Sequence, residues 1–368
     1  MEDKTATDTV DSALMLFAPV NIDRGTNQIN FVEYRPTNQL SQTGPVEFTI
    51  PPSPTQYTDL RRCRLKSKVR IVGLNGKVLE EKDIVAPVNF LAGSLYSQVD
   101  VYLQQRLMSS GSGNHPYRCM FDLLLNNGQG SLESVHQAGM FYKDSASAIT
   151  QTDPTKAPVN VGLIERWKLA KNSKIMDLSS KIHADIFNLD RYLINNCELK
   201  LRLHQTRNEF RLVTPSPAAH YTVELVEVIF EACMVTVSPQ ILTAHDTALS
   251  RSMALYPYIK TELKAFAIPK GSFQFNVSDI FLGSIPNRVL IAFVSAEAYS
   301  GSYTANPYNF EHLNVNFLKL SIDGNSVPGK PYQPRFDDKN GDIYMDPYAA
   351  LFSNLKREEE DSGLNITR

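Results

Sequence analysis

No apolar run in these 368 residues approaches the ~20 that a membrane-spanning helix needs, so membrane insertion is not expected. An excess of one charge is also missing: 37 Lys and Arg stand against 39 Asp and Glu. The resulting net charge of -2 gives no global pull toward nucleic acid or a membrane surface. Cysteine is scarce, and Cys63, Cys119, Cys197 and Cys233 are too scattered for a zinc knuckle or a redox pair, which leaves reduced, buried thiols. The N-terminus has no basic flank and no small-residue cleavage site around its brief apolar stretch from Ala13 to Val20. A secretory leader is therefore not expected, and the sequons at Asn276 and Asn365 read as chance.

Catalytic signatures are missing as well. There is no Gly-x-Ser-x-Gly elbow, and the seven histidines never form a His-x-His pair ahead of a carboxylate. SSGSGNHP, from Ser109, lacks both the Lys-Ser/Thr of a Walker loop and the third glycine of a dinucleotide motif. The acidic loop DDKNGDIYMD from Asp337 fails as a calcium loop, since aligning Gly341 with the invariant glycine puts Phe336 first and Pro347 at the bidentate position.

What is present is enough apolar material, 42% of residues, to bury a large core, arranged with a period of two. In LRRCRLKSKVRIV, Cys63, Leu65, Ser67, Val69 and Ile71 take one face, and Arg62, Arg64, Lys66, Lys68 and Arg70 take the other. LYSQVDVYLQQRL sets Leu95, Val99, Val101, Leu103 and Leu107 against Tyr96, Gln98, Asp100 and Tyr102, and CELKLRLH alternates as regularly. INFVEYR and GPVEFTI are short enough for edge or corner strands, and TVELVEVIFEACMVTV supplies a long strand.

The alternation lapses over about 108–175, where Tyr117, Met120, Phe121, Leu124 and Leu125 recur at helical spacing after Pro116, predicting an insertion that contains a helix. At Ser238 a cap, Pro239 and the stripe Ile241, Leu242, His245 and Leu249 predict a connector helix over 238–252. Strand signals resume in TELKAFAI, NRVLIAFVSAEAY and LNVNFLKLSIDG, the last with an Asp323-Gly324 turn. The expected fold is mainly β. Two tandem jelly-roll sandwiches are joined by a helix: an N-terminal arm over 1–25, a first jelly roll over 26–237, and a second from 253 to 368.

Several segments carry, in order, a resemblance to a known family. They are FVEYRPT from Phe31, GPVEFTI from Gly44, APVNFLAGSLYSQVDVYL from Ala86, HPYRCMFDLLL from His115 and KIHADIFNLDRYLINNCELKLRL from Lys181. VSPQILTAH from Val237, the long run from Phe273 to Gly324 and PGKPYQPRF from Pro328 follow. The chain thereby resembles, from about Phe17 to Phe352, the double jelly-roll major capsid proteins of the Polinton (Maverick) and adintovirus type, including uncharacterised copies in animal genomes.

The resemblance implies a structural, non-enzymatic, hexon-like protein without a cofactor. Three chains would form a pseudo-hexagonal capsomer, and capsomers would tile a virion shell around double-stranded DNA. The implied partners are further copies of the chain, minor and penton capsid proteins, and packaged DNA. The implied location is the virion capsid, with the host nucleus or cytoplasm during assembly and no secretion. Proteins of this family continue with further apolar strands where this chain has the polar run LKREEEDSGLNITR, so the second barrel is expected to be C-terminally incomplete.

Three sets of residues are candidates for contact or chemistry. The basic face Arg62, Arg64, Lys66, Lys68 and Arg70 suits phosphate contact, although alternating charge also keeps a strand face wet and blunts edge pairing. AYSGSYTANPYNFEH places Tyr299, Tyr303, Tyr308 and Phe310 among turn-forming residues, which suits either an intersubunit loop or interior packing. The enzymatic alternative is a jelly-roll Fe(II) oxygenase using His183, Asp185 and His245. Ile182, Ala184 and Ile186 would mark the core face there, putting His183 and Asp185 on the wet one. A third reading is a host-retained, capsid-derived binding module.

Overall fold

A computed structural model describes residues 25–109, 111, 113–218, 220–281, 283–336 and 345–353. The N-terminal arm up to residue 24, Ser110 and Ser112 of the glycine-rich turn, residues 337–344 of the acidic loop, and the polar end with its sequon lie outside the described residues.

The first ten strands are β1 (Thr26–Tyr34), β2 (Val46–Ile50), β3 (Gln56–Val72), β4 (Ala86–Pro87), β5 (Tyr96–Leu103), β6 (Arg106–Leu107), β7 (Met176–Lys181), β8 (Leu199–Gln205), β9 (Leu212–Val213) and β10 (Thr222–Val237). They pair antiparallel in the orders β1-β10-β3-β7 and β2-β8-β5-β6, with β4-β9 as a short extra pair. Setting that extra pair aside, the eight remaining strands in chain order run 1-8-3-6 in one sheet and 2-7-4-5 in the other. The first strand thus lies beside the last, and the second beside the next to last. This nesting of antiparallel strands is the jelly roll, and here it follows from the ladders alone.

The alternation read in β3 is the alternation found: Cys63, Leu65, Ser67, Val69 and Ile71 are buried, while the intervening Arg and Lys face outward. Phe48 of β2 and Phe230 of β10 meet across the sandwich with ring centroids 6.1 Å apart, and Phe187 closes on Phe230 from the other side at 6.3 Å. β1 and β2 are edge strands, as expected, although β1 at nine residues is longer than the inner strands β5 and β8. β5 departs from the expected alternation. A bulge between its Tyr96 and Gln98 pairings with β8 shifts the faces, so Tyr96, expected on the wet side, is buried. Leu107, expected in the core, is exposed beyond a tight turn at Gln104 and Gln105, both with positive φ.

The insertion between β6 and β7 holds helices at His115–Asn126 and Val161–Ala170. Pro116 sits in the first turn of the former, where its missing N–H costs no hydrogen bond. Tyr117, Cys119, Met120 and Leu123 are buried, and Phe121, Leu124 and Leu125 are half-buried. The helix lies close to the turn at Leu91–Ser94, since a Cβ on Gly93 would come within 2.8 Å of the Cys119 Cβ.

A helix follows β10 at Pro239–Leu249, with Ile241 and Leu242 packed on the core and the rest of its length in solvent. From Met253 to Val294 the described residues form no ladder. The strands expected in TELKAFAI and NRVLIAFV are therefore not formed, and SAEAY instead contains a short helix at Ala296–Ser300 capped by the Ser295 hydroxyl. Alternation marks a surface suited to pairing, and an extended segment without a partner leaves its backbone groups to water. The last sequence-predicted strand is present as β11 (Leu318–Ile322), which turns through Asp323 and Gly324, both with positive φ, into β12 (Asn325–Tyr332). The mainly β reading holds, and among the described residues this hairpin is the regular β structure of the second half.

Candidate functional site

The richest cluster of ionisable side chains lies where the His115–Asn126 helix meets the chain leaving β7. His183 and Asp185 were expected on a solvated strand face. They are buried, because β7 ends at Lys181 and the chain tightens into a 3-10 turn over Asp185–Asn188 that leaves Ile182 to Phe187 all inside. Arg118 donates from Nη2 to Asp185 Oδ1 at 2.6 Å, and its Nε lies 4.0 Å from Asp122. His183 Nδ1 is 3.2 Å from Asp122 Oδ2, and the backbone N–H of Thr261 donates to both Asp185 oxygens at 3.2 Å. His115 Nε2 lies 3.1 Å from the Cys119 sulfur. A small cavity beside the cluster is lined by Ser97, Gln98, His115, Arg118, His183 and Thr261.

Burial sets the protonation states. It pushes His115 down to about 3, helped by the neighbouring His183 and the Arg118 guanidinium, and it lowers His183 despite the hydrogen bond to Asp122. Burial also drives the Cys119 thiol well above its ordinary value, so it stays protonated beside the His115 ring. For Asp122 burial acts upward, yet the His183 hydrogen bond and the surrounding positive charges outweigh it and hold the carboxyl below its usual range. At neutral pH the group is thus two neutral imidazoles, one guanidinium, two carboxylates and an inert thiol. Each carboxylate is engaged by a neighbour, so the cluster ties three chain segments together.

The oxygenase triad does not assemble. Asp185 is engaged by Arg118 and Thr261, and His245 stacks on Tyr57 in the connector helix with Nδ1 2.7 Å from the Tyr57 hydroxyl. Among the described residues no three His, Cys, Asp or Glu side chains converge in a metal-binding arrangement. Sequence reasoning missed Arg118 and Asp122, whose four-residue spacing in HPYRCMFDLLL puts them on one helical face.

The basic face of β3 is brought together as expected, but with carboxylates interleaved. In register, Glu33 of β1 lies opposite Glu231 of β10, and Lys66 binds both, at 3.0 Å to Glu33. Lys68 pairs with Glu227 at 2.8 Å, Arg70 with Glu224 at 2.7 Å and Arg62 with Asp59 at 3.1 Å. Arg64 lies opposite Glu231 on one side and Lys181 on the other. Hydrogen bonds to the glutamates raise the Lys66 and Lys68 ammonium groups above their ordinary values. The strand therefore presents a mixed rather than a basic surface.

The aromatic loop is turned inward, and its most buried members pack within the chain. Tyr308 is buried, with its hydroxyl 2.6 Å from Ser94 Oγ, and Tyr303, also buried, donates to the Tyr221 carbonyl at 2.8 Å. Tyr299 stacks on Tyr117 and donates to Asn114 Oδ1 at 2.8 Å, while Phe310 stacks on Phe121. The physical reason is the wall of Tyr117, Phe121 and Phe210, which offers these rings edge-to-face and stacked partners within the same chain.

No family model matches the chain. It is similar to an uncharacterized protein of Caenorhabditis elegans, F54H12.2, at 23% identity over 89% of this chain and 77% of that one. Among solved structures it is similar to a chain of the Sputnik virophage, with a TM-score of 0.41 and 10% identity over 64% of this chain and 53% of that one. The Faustovirus major capsid protein gives a TM-score of 0.38 and 9% identity, over 67% of this chain and 59% of that one. The chain thus spans little more than half the length of these two structures.

Proposed function

We propose that the chain is a structural shell subunit that works by self-association, as the major capsid proteins it resembles do. The observation that carries this reading is the pair of nested four-stranded sheets in jelly-roll order, in a chain whose segments match that family in sequence order. The polar cluster at His183 supports it, since its two carboxylates are engaged by Arg118, His183 and the Thr261 N–H in the manner of a structural tie. The Met253–Val294 stretch supports it too. Its alternating residues, with Met253, Ile259 and Phe273 almost wholly exposed, want a pairing partner, and neighbouring subunits of a lattice supply one.

In the full proposal three copies form a pseudo-hexagonal capsomer of the Polinton and adintovirus type. Capsomers tile a virion shell with minor and penton proteins around double-stranded DNA, and residues 253–368 contribute a second jelly roll. The face carrying Arg62, Arg64, Lys66, Lys68 and Arg70 meets DNA only by exchanging its glutamate partners for phosphate. The test is light scattering with negative-stain microscopy on the purified chain. Trimers of hexagonal outline are expected, and a monomer at every concentration would overturn the reading.

A further inference from the structure

Arg211 closes the short helix Asn208–Arg211 just ahead of β9, with its side chain wholly inside the first sandwich. Its side-chain hydrogen bond runs from Nη2 to Asn208 Oδ1 at 2.6 Å, while Nε and Nη1 are buried and have no partner among the described residues. The nearby Glu209 is exposed to solvent, and no carboxylate pairs with the guanidinium among the described residues. Two further hydroxyls at this end of the sandwich are buried and unpartnered. They belong to Tyr96, turned inward by the β5 bulge, and to Thr206, whose N–H donates to the carbonyl of Leu95 beside Tyr96. Ser67 of β3 lies beside the Tyr96 ring without closing a well-formed hydrogen bond to it.

We infer that Arg211, with the Tyr96 hydroxyl, holds a small inorganic anion of halide size inside the first jelly roll. The argument is one of charge and of donor count. Burial lowers the guanidinium only to about 10, so it is charged at neutral pH and needs a counter-charge that the described residues do not provide at contact. Nε and Nη1 carry three N–H donors, and the Tyr96 hydroxyl adds a fourth. A water molecule would bring still more donors to a site already short of acceptors. A halide brings only acceptance and cancels the charge. The Tyr96 phenol, raised to about 12 by burial, stays protonated and donates.

The test uses the full chain. Thermal unfolding is followed as chloride or bromide replaces a bulky organic anion at constant ionic strength, and crystals are soaked in bromide. Because the ion binds only the folded state, the melting temperature should climb with halide concentration. An anomalous peak should lie against Arg211 Nε and Nη1. Tyr96→Phe keeps the ring and removes one donor, so it should weaken the apparent halide affinity about tenfold without unfolding the chain. A water at Arg211 in place of bromide, a melting temperature indifferent to halide, or an unchanged halide response in Tyr96→Phe would each overturn the inference.

Discussion

Acid should loosen the junction between the first sandwich and the segment that follows the connector helix, and the size of the effect can be worked from His115. Its imidazole titrates at about 3 in the folded chain, against about 6.5 when unfolded. The folded value is depressed, so the unfolded chain takes up the proton first. Stability is complete above about pH 7 and is lost progressively as pH falls from 6.5 toward 3. At pH 5 the unfolded imidazole is favoured by about 1.5 pH units of protonation, or about 2 kcal/mol. Partial solvent contact at His115 reduces this to about 1–2 kcal/mol.

His183, also lowered, acts with the same sign, and its protonation places a positive charge beside Arg118, whose partner Asp185 accepts the Thr261 N–H. The assay is urea unfolding at pH 7.5 and pH 5.0 for the parent chain and for His115→Gln, which keeps a polar neutral side chain and cannot titrate. The parent should lose about 1–2 kcal/mol more than the variant over that interval. Equal losses in the two proteins would refute the neutral assignment of His115.

Phe230→Ala removes the ring packed between Phe48 and Phe187 and should cost about 3–5 kcal/mol in chemical denaturation. Tyr308→Phe deletes the buried hydroxyl that contacts Ser94 and should cost about 1 kcal/mol, seen as faster proteolytic cleavage near the aromatic loop. Replacing Glu33, Glu227 and Glu231 together by Gln frees Lys66 and Lys68, so the variant should gain salt-sensitive DNA binding over the parent in a mobility-shift titration.

The alternation of β8 and of β3 from Cys63 to Ile71 was legible, because each there has one dry and one wet face and the period of two is geometric. What failed did so for local reasons. His183 and Asp185 sit at a strand's end, where a tight turn replaces the alternation, and at Tyr96 a single bulge reverses the faces. Arg118 and Asp122 left a spacing signal, but their partners lie more than sixty residues along the chain, and no local pattern shows that distance closing. Arg211 left still less: in NEFRLV it reads as an ordinary surface charge beside Phe210 and Leu212.

The two halves of the chain carry similar strand signals and end differently, and the contrast says where the information for a sheet resides. In the first half each alternating segment has an antiparallel neighbour, so the apolar faces close on one core. In the second half TELKAFAI and NRVLIAFV are also apolar, strand-like segments, yet Phe266, Ile268, Leu290 and Ile291 remain substantially exposed. Alternation is a property of one segment, whereas a ladder is a property of two. The aromatic loop that follows them packs on the wall of Tyr117, Phe121 and Phe210, so the second half is anchored to the first. A chain built this way holds its unpaired strands against a finished sandwich, which is the arrangement in which pairing with a neighbouring copy costs the least additional ordering.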